Sequence, residues 1–226
     1  MQRLTDFLYW ACRRTWAWAL MRLLSRTSVT GLQNVPKDGP LILVSNHLNN
    51  ADPPVITNVI PRRIYWMAKK ELFDNPILGP GFRLFGYISV RRFEADLGAL
   101  RKSQETLAQG RVLGMFPEGT RSKTGALKEA EPGTAVIALR TGAPILPVAI
   151  WGTENFSIPR DLIHRTRVDV TVGVPFRLAR TGRLTKEQVL DGTREIMEKI
   201  AALLPPDRRG IYAQSAHGDP VTKVAE

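Results

Sequence analysis

Residues 41–54 read LILVSNHLNNADPP. Leu41–Ser45 is an unbroken apolar run closed by a serine, the pattern of a strand buried on both faces. The run empties into polar residues. Pro53 then suits the first turn of a helix and biases the residue before it away from the α region. Strand, polar loop and helix in that order make the repeating unit of an α/β sheet, which places its chemistry beyond the carboxyl ends of its strands. Similar apolar runs occur at residues 64–68, 87–90, 112–116, 145–150 and 168–174. Helical stretches lie between and after them, near residues 53–60, 78–85, 94–109, 134–140 and 186–204. This alternation predicts an α/β fold with a mostly parallel central sheet flanked by helices. Pro147 interrupts the fifth such run and marks an edge or a bulge, because proline cannot donate to a ladder.

The loop after Ser45 carries His47 and Asp52. On a continuous helix, side chains five residues apart point well away from each other. The two meet only if residues 47–51 form a turn and the helix begins at Asp52. A histidine held by a carboxylate is a general base: the imidazole accepts a proton, while the carboxylate fixes its tautomer and stabilises the imidazolium. The same residues also fit a plainer arrangement, in which Asp52 caps the helix and His47 is a polar loop residue. No G-x-S-x-G is present, and no second histidine or cysteine stands nearby in sequence. A nucleophile elbow, a metal site and a thiol nucleophile are therefore unsupported, and a substrate hydroxyl is the simplest nucleophile.

A second strand-to-loop transition reads FPEGTRS over residues 116–122. Gly119 permits close backbone approach to a ligand. Arg121 offers a two-pronged fork for phosphate, and Thr120 and Ser122 add hydroxyls. Glu118 would repel a phosphate directly and fits better as an orienting group for Arg121 or an acceptor for a substrate hydroxyl. The short run before Arg91 and Arg92 ends in two guanidinium groups suited to a phosphomonoester, although strand alternation aims at most one of them into a site. Each segment alone also reads as an ordinary turn or a solvated charged edge.

Composition narrows the partners. The 226 residues hold 32 Lys and Arg against 21 Asp and Glu, a net charge of +11, which favours an anionic partner. Cys12 is the only cysteine, so an intrachain disulfide is excluded. Three of the five tryptophans, Trp10, Trp16 and Trp18, fall within residues 1–30, mixed with Arg13, Arg14 and Arg22. The arginines break any apolar stretch long enough to span a bilayer or to act as a signal peptide. Leu4, Phe7, Leu8, Ala11 and Trp18 share one helical face. Residues 1–30 are therefore expected to form an amphipathic helical anchor lying on an anionic phospholipid membrane. A helix packed on the domain's own core is the competing arrangement. The expected organisation is the anchor at 1–30, an α/β domain at 31–204 and a loosely ordered tail at 205–226. Nucleic-acid binding lacks any supporting signature.

The segments Asn46-His47-x4-Asp52, Gly86 to Arg92, Phe116 to Arg121 and Leu146-Pro147-Val148 together resemble the PlsC-like glycerolipid acyltransferase family. They span residues 46–148, just under half the chain. The resemblance implies transfer of an acyl group from a thioester, acyl-CoA or acyl carrier protein, to a lysophospholipid hydroxyl, usually that of lysophosphatidic acid. It makes His47 the general base and Asp52 its partner. It assigns the acceptor phosphate to Glu118, Gly119 and Arg121 with Arg92, to which the reading of the residues adds Thr120 and Arg91. A single cysteine, three histidines and no HExxH leave no metal centre expected, no cofactor is expected beyond the acyl donor, and the protein is expected to be peripheral or monotopic on the cytoplasmic face of a membrane. One departure stands out: Arg91 occupies a position that is often acidic in the family. Another lysolipid or glycerol 3-phosphate is the alternative acceptor. A non-enzymatic module binding anionic lipid is the alternative of a different class.

Overall fold

All five residues of strand β2 (Leu41–Ser45) are buried, as a strand covered on both faces must be. Leu41 and Leu43 pack into one apolar cluster, and Ile42 and Val44 into another on the opposite face. The sheet has seven strands: β1 (Ser25–Thr30), β2, β3 (Ile64–Lys69), β4 (Ile88–Val90), β5 (Val112–Met115), β6 (Ile145–Trp151) and β7 (Thr166–Val172). Their order is β1-β7-β6-β2-β5-β3-β4, and every pairing is parallel except that of β6 with β7. The helices are α1 (Asp52–Val59), α2 (Lys70–Asp74), α3 (Leu78–Leu84), α4 (Leu97–Ala108), α5 (Gly133–Thr141) and α6 (Lys186–Leu203). This is a computed structural model, and it describes residues 9–11, 24–91, 96–156 and 165–214.

The topology fixes where a ligand goes. β2 and β5 are neighbours. The chain leaves β2 towards β3 on one side and leaves β5 towards β6 on the other. Helix α1 contributes Val55 and Ile56 to the cluster on one face, and α5 contributes Ala135, Ile137 and Ala138 to the cluster on the other. The loops that follow β2 and β5 therefore diverge and leave a crevice at the carboxyl edge of the sheet.

Two sequence expectations change here, the first and the third below, and the choice left open at Pro147 is decided. First, residues 25–30 form β1, an edge strand paired with β7, rather than the end of an anchor. Its SRTSVT sequence is polar and mostly exposed, so it lacks the apolar signature of an inner strand. Leu24, at 1% exposure, is already part of the core. Second, Pro147 lies in an interior strand. Residues 146–147 oppose residues 173–175 between the pair Val148↔Val172 and the bridge Ile145↔Phe176. This is the bulge the proline required, and Gly173 N–H donates to the Pro147 carbonyl. Third, residues 205–214, assigned to a loose tail, form two 3-10 turns bound to the domain. Leu127 N–H donates to the Arg208 carbonyl, the Arg208 side chain pairs with Glu154 at 2.6 Å, and Tyr212 packs on the core.

Candidate active site

Residues 47–51 make a turn, and α1 begins at Asp52, with Asp52 N–H donating to the Asn49 carbonyl. The turn brings His47 Nδ1 to 2.8 Å from Asp52 Oδ2. The same oxygen accepts the N–H groups of Leu48 (2.6 Å) and Asn49 (2.8 Å). Asp52 Oδ1 accepts from the Thr153 hydroxyl at 2.5 Å. Asp52 is fully buried, and its carboxylate collects four donors, so Nδ1 carries the imidazole hydrogen and Nε2 presents a lone pair. The plainer arrangement, with Asp52 capping the helix, does not occur: the N-terminus of α1 has no side-chain cap.

The imidazole is held from the side as well. Its ring stacks on Phe116 at 4.0 Å, and Phe116 stacks on Trp66 at 4.9 Å. Trp66 reaches that position because residue 114 is glycine, since a Cβ there would stand 2.5 Å from the indole. The indole N–H donates to Thr57 on α1. Asn46 secures the base of the loop. Its amide donates to the Ile150 carbonyl at 2.7 Å and accepts the Ile150 N–H at 2.9 Å, extending the β2–β6 ladder by one side chain.

The FPEGTR loop lies against this turn, and Ser122 N–H donates to the His47 carbonyl at 2.7 Å. Gly119 takes φ +68°, which favours glycine, at the tip of the loop. Glu118 has neither of the roles its charge suggested. At 2% exposure it lies beneath the loop, where Oε1 accepts the His47 N–H (2.9 Å) and Oε2 the Lys128 N–H (3.3 Å). It joins the two loops and holds no phosphate, because burial and backbone donors occupy its carboxylate. Burial pushes its pKa up to about 7, and the Asp52 charge acts in the same sense. The two backbone donors and the Lys128 ammonium pull it back down.

Arg121 is exposed beside this loop, and Thr120 accepts a hydrogen bond from the Lys128 ammonium. Arg91 lines a cavity of about 620 Å³ together with Gly119. Most of that cavity's wall is apolar, from Met67, Leu100, Met115, Val136 and Ile137. Arg92 lies outside the described residues, as do most of the tryptophans and arginines of the expected anchor. Tyr9, which is described, is buried on the domain. Its hydroxyl accepts the Ile64 N–H at 3.4 Å, and the Arg63 guanidinium sits 4.9 Å from its ring centre.

Two residues of the site escaped the sequence reading. Thr153 follows β6 through Gly152, and only knowledge that β6 lies beside β2 would have singled it out. Lys128 sits in a polar loop whose path back to Glu118 has no sequence signal.

The Acyltransferase family profile matches residues 26–151. The chain belongs to the acyltransferase family. The match runs from β1 to the last residue of β6 and includes every candidate residue named in the sequence, but not Thr153. Among curated relatives, the 1-acyl-sn-glycerol-3-phosphate acyltransferase of Borreliella burgdorferi is 32% identical over 148 residues, covering 65% of this chain and 59% of that protein. The Escherichia coli protein of the same name is 30% identical over 169 residues, covering 73% of this chain and 69% of its own. The chain thus spans about six-tenths of the Borreliella relative's length. The crystal structure of the 1-acyl-sn-glycerophosphate acyltransferase PlsC from Thermotoga maritima superposes with a TM-score of 0.67 at 26% identity, covering 97% of this chain and 84% of that one. The mostly parallel seven-stranded sheet is thus the architecture of a solved member of the family.

Proposed function

We propose that this family member transfers an acyl group from a thioester, acyl-CoA or acyl carrier protein, to the free hydroxyl of lysophosphatidic acid, giving phosphatidic acid. The observation that carries this reading is the His47–Asp52 pair. An imidazole with Nδ1 committed to a buried carboxylate and Nε2 free is equipped to remove a hydroxyl proton. Arg121 and Arg91, with Arg92 in the same segment, supply guanidinium groups for the acceptor phosphate. The apolar cavity that Arg91 lines suits a hydrocarbon chain.

The step balances without a covalent enzyme intermediate. His47 Nε2 takes the acceptor's hydroxyl proton as the oxygen attacks the thioester carbonyl. Asp52 stabilises the imidazolium, and Thr153, Leu48 and Asn49 hold the carboxylate in place. The C–S bond then breaks, and the departing thiolate receives the proton from His47. Binding both reactants in line removes much of the entropic barrier, which can amount to about 7–11 kcal/mol.

The names of the relatives support lysophosphatidic acid as the acceptor, and Arg91 in place of an acidic residue suits its phosphomonoester. The reading also has the protein act at the surface of a membrane. No helix among the described residues is long and apolar enough to cross one. The test is purified full-length protein with a panel of lysolipids and glycerol 3-phosphate, each supplied with acyl-CoA or acyl carrier protein, with products read by mass spectrometry. Phosphatidic acid should dominate with at least one donor. Preferential acylation of a choline or ethanolamine lysolipid would reject the acceptor, and no ester with any acceptor would reject the activity.

A further inference from the structure

Four of the eight large apolar residues that are exposed among the described residues belong to one part of the fold: Ile77, Leu78, Leu84 and Leu97. Ile77 is 85% exposed and Leu97 73%. β3 and β4 are parallel neighbours whose carboxyl ends lie at the same sheet edge as the His47 and FPEGTR loops. Ile77 follows α2 beyond the end of β3, and Leu97 opens α4 beyond the end of β4, so both stand at that edge. Leu97 also lines the apolar cavity.

The turn that displays Ile77 is built rather than loose. Asn75 Oδ1 accepts the N–H groups of both Ile77 and Leu78 at 2.9 Å. Behind it, Gly79 is packed so closely on the Phe73 carbonyl that a Cβ could not be accommodated. The Arg83 guanidinium donates to that carbonyl at 2.7 Å. A firmly held turn keeps an isoleucine and a leucine side by side in water, where covering them would release free energy. From there α3 runs back across the domain to Phe85, whose ring meets Tyr9 beside Trp10. Lys69, Lys70, Arg83 and Arg91 are exposed along this surface, against Glu71 and Asp74.

We propose that the turn before α3 forms a second lipid-contacting surface, with Ile77 and Leu78 entering the headgroup–acyl boundary of an anionic phospholipid bilayer. The choice of a bilayer as occupant rests on the acyl-transfer reading: the cavity that opens beside Leu97 then draws its chains from lipid, and the apolar surface leads to its mouth. Docked this way, the carboxyl edge of the sheet faces the membrane.

The test begins from full-length protein with Cys12→Ser. An environment-sensitive fluorophore is attached at Ile77→Cys, and for comparison at Leu190→Cys, an exposed leucine on α6. With vesicles of phosphatidylcholine and phosphatidylglycerol, the label at 77 should shift to the blue and be quenched by spin-labelled lipid, while that at 190 should do neither. A label at 77 that stays aqueous while the protein sediments with the vesicles would overturn the proposal. So would a blue shift without vesicles that grows with protein concentration, which would make the occupant a second copy of the chain. Neither result depends on turnover, so failure here is separable from failure of the proposed activity. In addition, Ile77→Asp with Leu78→Asp should lower turnover of vesicle-embedded acceptor by about tenfold or more while sparing dispersed short-chain acceptor. Equal losses on both forms would contradict the proposal.

Discussion

Replacing His47 by alanine should lower kcat for acyl transfer by about 10²–10⁴-fold, with little change in KM for either substrate. Nε2 is the proposed proton acceptor. The guanidinium groups and the apolar cavity do not depend on the imidazole, so the loss should fall on the step in which the proton moves. The loop itself should survive, because its anchors are not the imidazole. Asn46 binds Ile150 through its own side chain, and Glu118 and Ser122 bond to the main chain of residue 47. Steady-state kinetics alongside circular dichroism check this. A folded His47→Ala protein whose kcat falls only a few-fold would remove the base from the mechanism.

The second large effect is on stability and belongs to Glu118. Its folded pKa is raised to about 7 from the ordinary value of 4.5, because the buried carboxyl is better tolerated neutral. The folded state therefore binds the proton more tightly than the unfolded state. The sign follows: this contribution is complete below about pH 4.5 and is lost as pH rises towards 7 and beyond. By linkage it amounts to about 3 kcal/mol in all. Glu118→Gln cannot titrate. Urea unfolding between pH 4.5 and 8 should therefore show the wild-type chain losing about that much relative to the variant as pH rises. Parallel stability curves would mean that Glu118 is already ionised at the bottom of the range. Glu118 nevertheless fits its place, since its two oxygens join the His47 turn to the FPEGTR loop, and a shorter or apolar side chain would leave two buried N–H groups unsatisfied.

Much of this architecture was legible because burial on both faces leaves a strong signal. The inner strands β2, β5 and β6 are continuous apolar runs, and the sequence places each to within a residue or two. β1 is not legible, because an edge strand with polar outward residues has no such run. Its place depends on β7, more than a hundred residues away. The meeting of His47 and Asp52 follows from a turn over residues 47–51 that ends where α1 begins at Asp52, a start that Pro53 in the first turn of the helix fits. The role of Glu118 was misread because charge suggests a surface role. Only the fold shows that two backbone donors converge on it. Thr153 was invisible for a similar reason: its contact with Asp52 depends on strand order, which local patterns do not encode.

The proposed transfer is direct, with His47 removing a proton and forming no bond to the acyl group. Mixing the protein with stoichiometric acyl thioester in the absence of any acceptor tests it most directly, with thiol release followed in rapid mixing and the intact protein weighed afterwards. Direct transfer gives no burst of thiol and an unmodified mass until lysophosphatidic acid is added. A stoichiometric burst with one acyl group added to the chain would contradict it.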